Sequence, residues 1–437
     1  MKTFFVLLRR IALGAAIGTL PLAPAQAALE LSAAIASAQS QDPWLAGSEL
    51  RERALLANGT ASSSLPDPML SVGFANLPTD TLDFDQEPMT QFKVGVSQVF
   101  PRGDSRALSA ERFRHLGSAQ PHQRADRRAR IALEVTREWL LAYRASASIA
   151  LIERDRDLFE QLLEVVEASY TSALGRTRQQ DLIRAQLELT RLDERLSRLN
   201  EQQQISLSRL LQWVSPLEQG PALSFAMAER PDIALPEGAI KPESLDANSL
   251  GRLLSGHPSV LAVDARVAAS ATGIAIAEQG YRPQWRVDAS YGYRDDDPLH
   301  GDRADFFSVG LALDMPLFTE KRQDQNVRSA VASTEALRTE RTLLLRRLYA
   351  SFETERKRLA VLEERRQLYR GRLLREMREQ AEASLSAYTN DDGDFAEVVR
   401  ARIAELNANI EALDIEVQRL MSISQLNYLM AGAGAET

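Results

Sequence analysis

Cysteine is absent from the chain. Disulfides, thiolate metal sites and cysteine nucleophiles are therefore excluded, and so is a lipid-modified N-terminal cysteine. Histidine is nearly as scarce: His115, His122, His257 and His300 show no ligand spacing. His115 and His122 lie two helical turns apart with Pro121 between them. The eight methionines are scattered and suggest no metal relay. Gly-x-Gly-x-x-Gly and P-loop patterns are missing. Paired carboxylates are common, but on charged helix faces they read as solvated surface. The sequence thus offers no catalytic, cofactor-binding or metal-ligating set, and a hydrolase has no nucleophile to build on. Aromatic residues are 6%, too few to suggest a large globular core. Hydrophobic residues at 44% and charged residues at 26% are ordinary for a folded protein. Long helices rich in Ala, Leu, Glu and Arg would give this balance. Past the N-terminus, no stretch is expected to reach the roughly 20 apolar residues of a transmembrane helix.

Residues 1–27 read as a signal peptide. Lys2, Arg9 and Arg10 precede an apolar run over 11–22, and Ala25-Gln26-Ala27 fits an A-x-A cleavage site. Its removal would take the net charge from −8 to −11. An acidic exported chain is a poor nucleic-acid binder. If such a chain enters a membrane without an apolar helix, it must do so as a β-barrel.

Two long stretches carry an apolar seam at alternating steps of three and four. One spans 395–428, with Ile403, Leu406, Ile410, Leu413, Val417 and Leu420. The other spans 181–213, with Leu182, Ala185, Leu189, Leu192, Leu196 and Leu199. That spacing keeps one narrow seam on a helix that needs neighbours. Nearly unbroken helical character over 105–173 and 322–388 supplies them. At 1.5 Å per residue each would reach about 100 Å, longer than a compact domain needs.

Four strand candidates alternate cleanly: 69–77, 90–100, 284–293 and 306–316. Each has the 9–11 residues a tilted strand needs to cross a bilayer. One face holds residues such as Leu70, Val72, Phe74, Trp285, Val287, Phe307 and Leu311. The other holds Ser71, Gly73, Lys93, Arg286, Asp288 and Gly310. Acidic loops join the strands: Asp80, Asp83, Asp85 and Glu87 in one, Asp295, Asp296, Asp297, Asp302 and Asp305 in the other. The alternation alone fits either a lipid-out pore or a soluble sheet with one wet face.

The order of elements occurs twice. Helices broken at Asp42-Pro43 and His257-Pro258 are followed by two strands, a very long helix, a turn and a seamed helix. Pro101 and Pro316 are 215 residues apart, and Gly175 and Gly393 are 218 apart. A period of half the chain implies a duplicated protomer: 28–214 and 250–430, joined by a proline-rich connector at 215–249, with a tail at 431–437. The fold class is α+β. Four strands cannot close a membrane barrel, because bacterial barrels need at least eight and an open edge in lipid leaves backbone groups unpaired. Three copies would give twelve.

At the level of motifs, the chain resembles the TolC-like outer membrane efflux family. The resemblance covers the whole chain after residue 27. It rests on the duplicated order, on Gln98-Val99-Phe100-Pro101 and Met315-Pro316-Leu317-Phe318, and on Tyr170…Gly175…Asp181-Leu182-Ile183-Arg184-Ala185 with Tyr388…Gly393…Glu397-Val398-Val399-Arg400-Ala401. The stretch from Pro66-Asp67-Pro68 through Phe84-Asp85-Gln86-Glu87-Pro88-Met89 to Pro101 resembles the heavy-metal-efflux branch. The resemblance implies a homotrimer in the outer membrane of a Gram-negative bacterium. Its twelve-stranded β-barrel, four strands per protomer in contact with outer-membrane lipid, would continue into a long periplasmic α-helical barrel. It implies an exit duct with no chemistry of its own, partnered by a periplasmic adaptor (membrane fusion) protein and an inner-membrane transporter of the resistance-nodulation-division type, with heavy-metal cations as cargo. A duct for drugs or secreted polypeptides, and a soluble periplasmic coiled-coil scaffold, remain open alternatives.

In such a family the far turns of the helical barrel form the entrance. The matching positions are Asp181, Glu397 and Arg400, with Asp391, Asp392 and Asp394 adding charge. Threefold symmetry would make each carboxylate a ring, and acidic rings favour cations. Asp181 and Asp394 also stand where an N-cap would, so a plain capping role stays open. Leu174, Gly175, Arg176 and Thr177 would form an exposed tip for adaptor docking, or a simple glycine-terminated helix end.

Overall fold

The computed structural model describes residues 29–171, 179–214, 225, 227, 229–235, 246–296, 301–390 and 393–432. The segment read as a signal peptide, the expected tip at 174–177, Asp391, Asp392, Asp297, His300 and most of the expected connector and tail lie outside these residues. The first half comprises α1 (Leu31–Gln41), α2 (Pro43–Ser63), β1 (Met69–Ala75), β2 (Gln91–Phe100), α3 (Ser105–Thr171) and α4 (Gln179–Val214). The second comprises α5 (Ala247–Ser255), α6 (Pro258–Glu278), β3 (Gln284–Tyr293), β4 (Phe306–Asp314), α7 (Gln323–Leu368), α8 (Leu374–Thr389) and α9 (Phe395–Leu429).

The two opening breaks have one chemistry. Pro43 and Pro258 each begin a helix, where a missing N–H costs nothing. The residue before each proline is extended and caps the helix. The Asp42 side chain accepts the Trp44 N–H at 3.1 Å, and His257 Nδ1 accepts the Ser259 N–H at 3.2 Å. Helix α2 runs through the serine-rich stretch to Ser63, before extended backbone at Ser64 ends it.

Helix α3 passes straight through Pro121 for 67 residues. Its neighbours α2, α4, α6 and α9 hold it, which offsets the one backbone bond the proline removes. The matching stretch of the second half differs from the unbroken helix expected over 322–388. Residues Tyr369–Leu373 form a π turn between α7 and α8. Gly371, a poor helix former, sits at its centre.

The sheet has the order β1-β2-β3-β4 and is antiparallel throughout. The β2–β3 pairing joins the two halves, with Val96 opposite Ala289 and Val94 opposite Tyr291. Strands β1 and β4 are open edges. Strand β1 stops at Ala75, two residues short of the expected end, because Asn76 turns left-handed at φ 57°. The helices bury three apolar clusters. One gathers around Trp139, Leu140 and Leu210. A second lies between α3, α4 and the start of α9, around Phe159, Leu192, Phe395 and Leu406. The third joins α5, α6, α7 and α9 around Leu254, Phe352 and Leu426. The seams read from sequence are these contacts: Leu192 and Leu406 are 6% and 1% exposed.

One expectation is corrected. The segment Pro258–Tyr281 is long and apolar enough to cross a membrane by length and composition. Its surroundings argue against that role. Asp264 pairs with Arg341 of α7, and Arg266 Nη1 lies 3.0 Å from Glu340 Oε1 of the same helix. Helix α6 is also packed between α3 and α7. Its apolarity comes from alanines and valines that pack against two long helices.

Candidate functional site

The sheet divides its side chains sharply. In register across all four strands, Val72, Val94, Tyr291 and Phe307 lie side by side, as do Leu70, Val96, Ala289 and Val309. These belong to one face, and it is bare: Phe74 is 62% exposed, Val309 68% and Phe307 73%. The opposite face pairs small with charged residues. Lys93 lies between Gly73 and Gly292, and Asp288 lies opposite Gly310. Gly95 leaves room there for Ser71, since a methyl group on it would stand 2.8 Å from Ser71 Oγ and make that hydroxyl turn away. At the loop end, Phe84 leaves its acidic loop to stack on Tyr293 with ring centres 6.2 Å apart, and it also meets Phe74 at 5.9 Å. An aromatic cluster thus borders the apolar band, as at a membrane–water interface. Arg294 and Arg303 donate to the Pro88 and Asp85 carbonyls and tie the two loops together.

At the far end of the helices, α8 returns into α9 through a tight turn. A methyl group on Gly393 would stand 2.7 Å from the Tyr388 nitrogen and 2.9 Å from the Ala387 carbonyl carbon. Only glycine permits that approach. Tyr388 and Phe395 pack across the turn at 5.6 Å. Asp394 caps α9, its carboxylate accepting the Ala396 N–H at 3.2 Å. Phe395, Ala396, Val398 and Val399 are buried, so Glu397 and Arg400 are left together on the exposed side. Asp181 does not share that face. It lies inside the first turn of α4 rather than at the cap position, and it is 7% exposed. A carboxylate there still meets the positive end of the helix dipole.

A charged cluster that sequence reasoning missed lies between these ends. Glu416 of α9 is 4% exposed. Arg230 of the connector, Arg366 of α7 and Arg370 of the π turn each approach its carboxylate to 3.2 Å, and Arg419 to 3.5 Å. Glu363 shares Arg366 and Arg419 at 2.7 and 2.9 Å. Burial works to raise the Glu363 carboxyl, but the hydrogen bonds from Arg366 and Arg419 outweigh it and hold the group below the usual carboxylate range. The π turn brings Arg370 to this point, and Arg230 fastens the connector to it. One signal was available: with Leu413, Val417 and Leu420, Glu416 falls on the seam side of its helix, where a charge needs partners. Among the described residues, no three His, Asp or Glu side chains converge as a metal site.

A sheet with one bare apolar face, one face of small and charged residues and two open edges, set on very long helices, has counterparts among solved structures. The fold is that of outer-membrane channels. The structure of CusC, from work on its folding and transmembrane channel formation, superposes with a TM-score of 0.73 at 14% identity, over 92% of this chain and 91% of that one. VceC, an outer membrane protein of Vibrio cholerae, gives 0.72 at 16% identity over 92% and 96%. The open state of the MtrE outer membrane channel of Neisseria gonorrhoeae gives 0.70 at 14% over 92% and 88%. No protein-family model matches the chain, and no curated protein sequence is similar to it.

Proposed function

We propose that this protein is the outer-membrane exit duct of a tripartite efflux pump. Three copies would close a twelve-stranded barrel and continue it as a helical tube, and an adaptor and an inner-membrane transporter would deliver the cargo. The observation that carries this reading is the sheet. It exposes an apolar face on strands of 7 to 10 residues, gathers small and charged residues on the other face and leaves both edges unpaired. A soluble scaffold would have no use for such a face. Extraction tests the two directly: recovery from membranes only with detergent, as a trimer, supports the duct, and a detergent-free soluble protein rejects it.

The cargo we assign is heavy-metal cations, on the resemblance of residues 66–101 to the metal-efflux branch. Growth of a strain lacking the gene against copper, silver, zinc, cobalt and cadmium, beside a drug panel, tests it. Sensitivity to one or two metals, restored by the wild-type gene, supports metal export. Sensitivity to drugs alone leaves a duct with a different cargo.

At the entrance we assign a cation-favouring ring to Glu397 and Asp394, with Asp391 and Asp392 beside them and Arg400 as the opposing charge. Asp181, buried at the start of α4, serves its helix. We assign adaptor docking to Leu174, Gly175, Arg176 and Thr177, since the turn between α3 and α4 would lie at the outer end of the tube.

A further inference from the structure

The two strand-to-helix links are equivalent in the duplication but unlike in chemistry. Four residues, Pro101-Arg102-Gly103-Asp104, join β2 to α3, while eight, 315–322, join β4 to α7. The longer link extends the apolar face of β4 beyond its last paired residue. Met315 and Leu317 continue the parity of Phe307, Val309, Leu311 and Leu313, and Phe318 follows. They are 61%, 70% and 92% exposed. The segment is nonetheless fixed in place. The Leu317 N–H donates to the Met315 carbonyl at 3.0 Å, and the Arg322 and Asp324 N–H groups both donate to the Thr319 carbonyl, at 3.2 and 3.1 Å. Three ordered, bare apolar side chains in a row call for a cover.

The topology says where that cover lies. Strand β1 leaves the helical end of the sheet and β4 returns to it, so the start of the first edge strand and the end of the last lie at the same end, with Met69 in register with Gly310 across the four strands. The two edges are also antiparallel, as pairing between copies requires. Closing a barrel staggers the joint between edges, and a stagger of four residues relative to the register within the sheet brings residues 315–318 of one copy beside 65–69 of the next. This segment is bare and apolar too, with Leu65 41% and Met69 67% exposed. The charges match as well. Asp67 lies in that segment, Lys321 and Arg322 follow Phe318, and none of the three makes a side-chain ion pair among the described residues.

We propose that Met315, Leu317 and Phe318 form a peg that seats on residues 65–69 of a second copy of this chain and fixes the register in which the sheet edges join. The proposal rests on the shared-barrel reading, and its test separates the two. The natural absence of cysteine makes cross-linking clean. Full-length Phe318→Cys with Leu65→Cys, treated in membranes with a short bismaleimide, is expected to give covalent dimers and trimers on denaturing gels, with each single variant remaining monomeric. Val72→Cys with Leu311→Cys, across the edges themselves, is the companion pair. A ladder from the companion pair without one from Phe318/Leu65 leaves the barrel standing and overturns the peg. No ladder from either overturns both. A bimane label on Phe318→Cys in vesicles of brominated phospholipid gives the second readout. Weak quenching there, beside strong quenching at Val309→Cys, is expected. Equal quenching means that lipid covers Phe318, and it overturns the proposal.

Discussion

Glu416 and His257 are two buried polar groups on which the helical wall depends in different ways. The Glu416 carboxylate stands among four guanidinium groups, and only Glu363 shares the load. Removing one partner of a buried charge set costs about 3–5 kcal/mol. The arginines are 25% to 51% exposed, so water recovers part of that and the lower end applies. Glu416→Gln is therefore expected to lower stability by about 3 kcal/mol. Glu379→Gln, at a carboxylate 68% exposed, is expected to stay within about 0.5 kcal/mol of the parent. Equal denaturation midpoints for the two variants would show that Glu416 has no special role. His257 is fully buried. Its Nε2–H donates to the Tyr428 carbonyl at 3.1 Å, and its Nδ1 accepts from Ser259. Burial pushes its pKa below the ordinary 6.5, and the Tyr428 carbonyl opposes the shift only in part. The unfolded chain therefore binds this proton first as the pH falls. His257 places no charge penalty on folding above about pH 6.5. Below that value stability declines, and the loss is complete once the pH has passed the lower folded-state pKa. His257→Asn keeps an acceptor for the helix cap and cannot take up the proton. Its melting temperature is expected to fall less than the parent's between pH 7 and pH 5. Parallel profiles would reject the assignment.

At the scale of elements, the strands and turns carry the sharpest consequences. An arginine on a lipid-facing strand position costs about 2–4 kcal/mol at mid-bilayer, while a lumen position tolerates it. Val309→Arg is thus expected to abolish stable insertion, and its neighbour Ser308→Arg, on the polar face, to leave it intact. Similar yields of membrane-embedded protein from both would undo the assignment of faces. The strand faces were legible in sequence because a period of two needs only about nine residues to declare itself. The duplicated order was legible because each break is marked by its own proline or glycine. The seams of α4 and α9 were legible for a similar reason, since regular apolar spacing states what a helix must bury. The π turn at Tyr369–Leu373 was hidden. It goes with a long-range contact from Arg370 to Glu416, and local propensity carries only the weak mark of Gly371. The apolar length of α6 misled in the other direction, since composition cannot tell a helix wedged between two others from one in lipid. At the entrance, Asp394 could be read as a cap from its place before Phe395. The burial of Asp181 could not, because it depends on where α3 and α9 lie.

For the whole molecule, the entrance charge we propose would be a property of the assembly and of no single chain. In three copies, Asp394 and Glu397 would contribute two negative rings, and Arg400 one positive ring a single helical turn away. On the exposed side of α9 these rings face water, so their influence reaches only about 8 Å at physiological salt and about 3 Å at 1 M. A selectivity that originates here must therefore weaken as salt rises, and it must respond to the two signs in opposite ways. Reversal potentials across planar bilayers measure both. Glu397→Gln is expected to lower the preference for cations, and Arg400→Gln to raise it, with both differences shrinking toward zero in 1 M salt. Asp181→Asn, at a buried position, is expected to leave selectivity unchanged while weakening the start of α4. A gate held shut by contact between Glu397 and Arg400 would behave differently. Either substitution would then raise open probability in the same direction, and ion preference would not move. Two variants of opposite charge thus distinguish a ring that selects from a pair that latches.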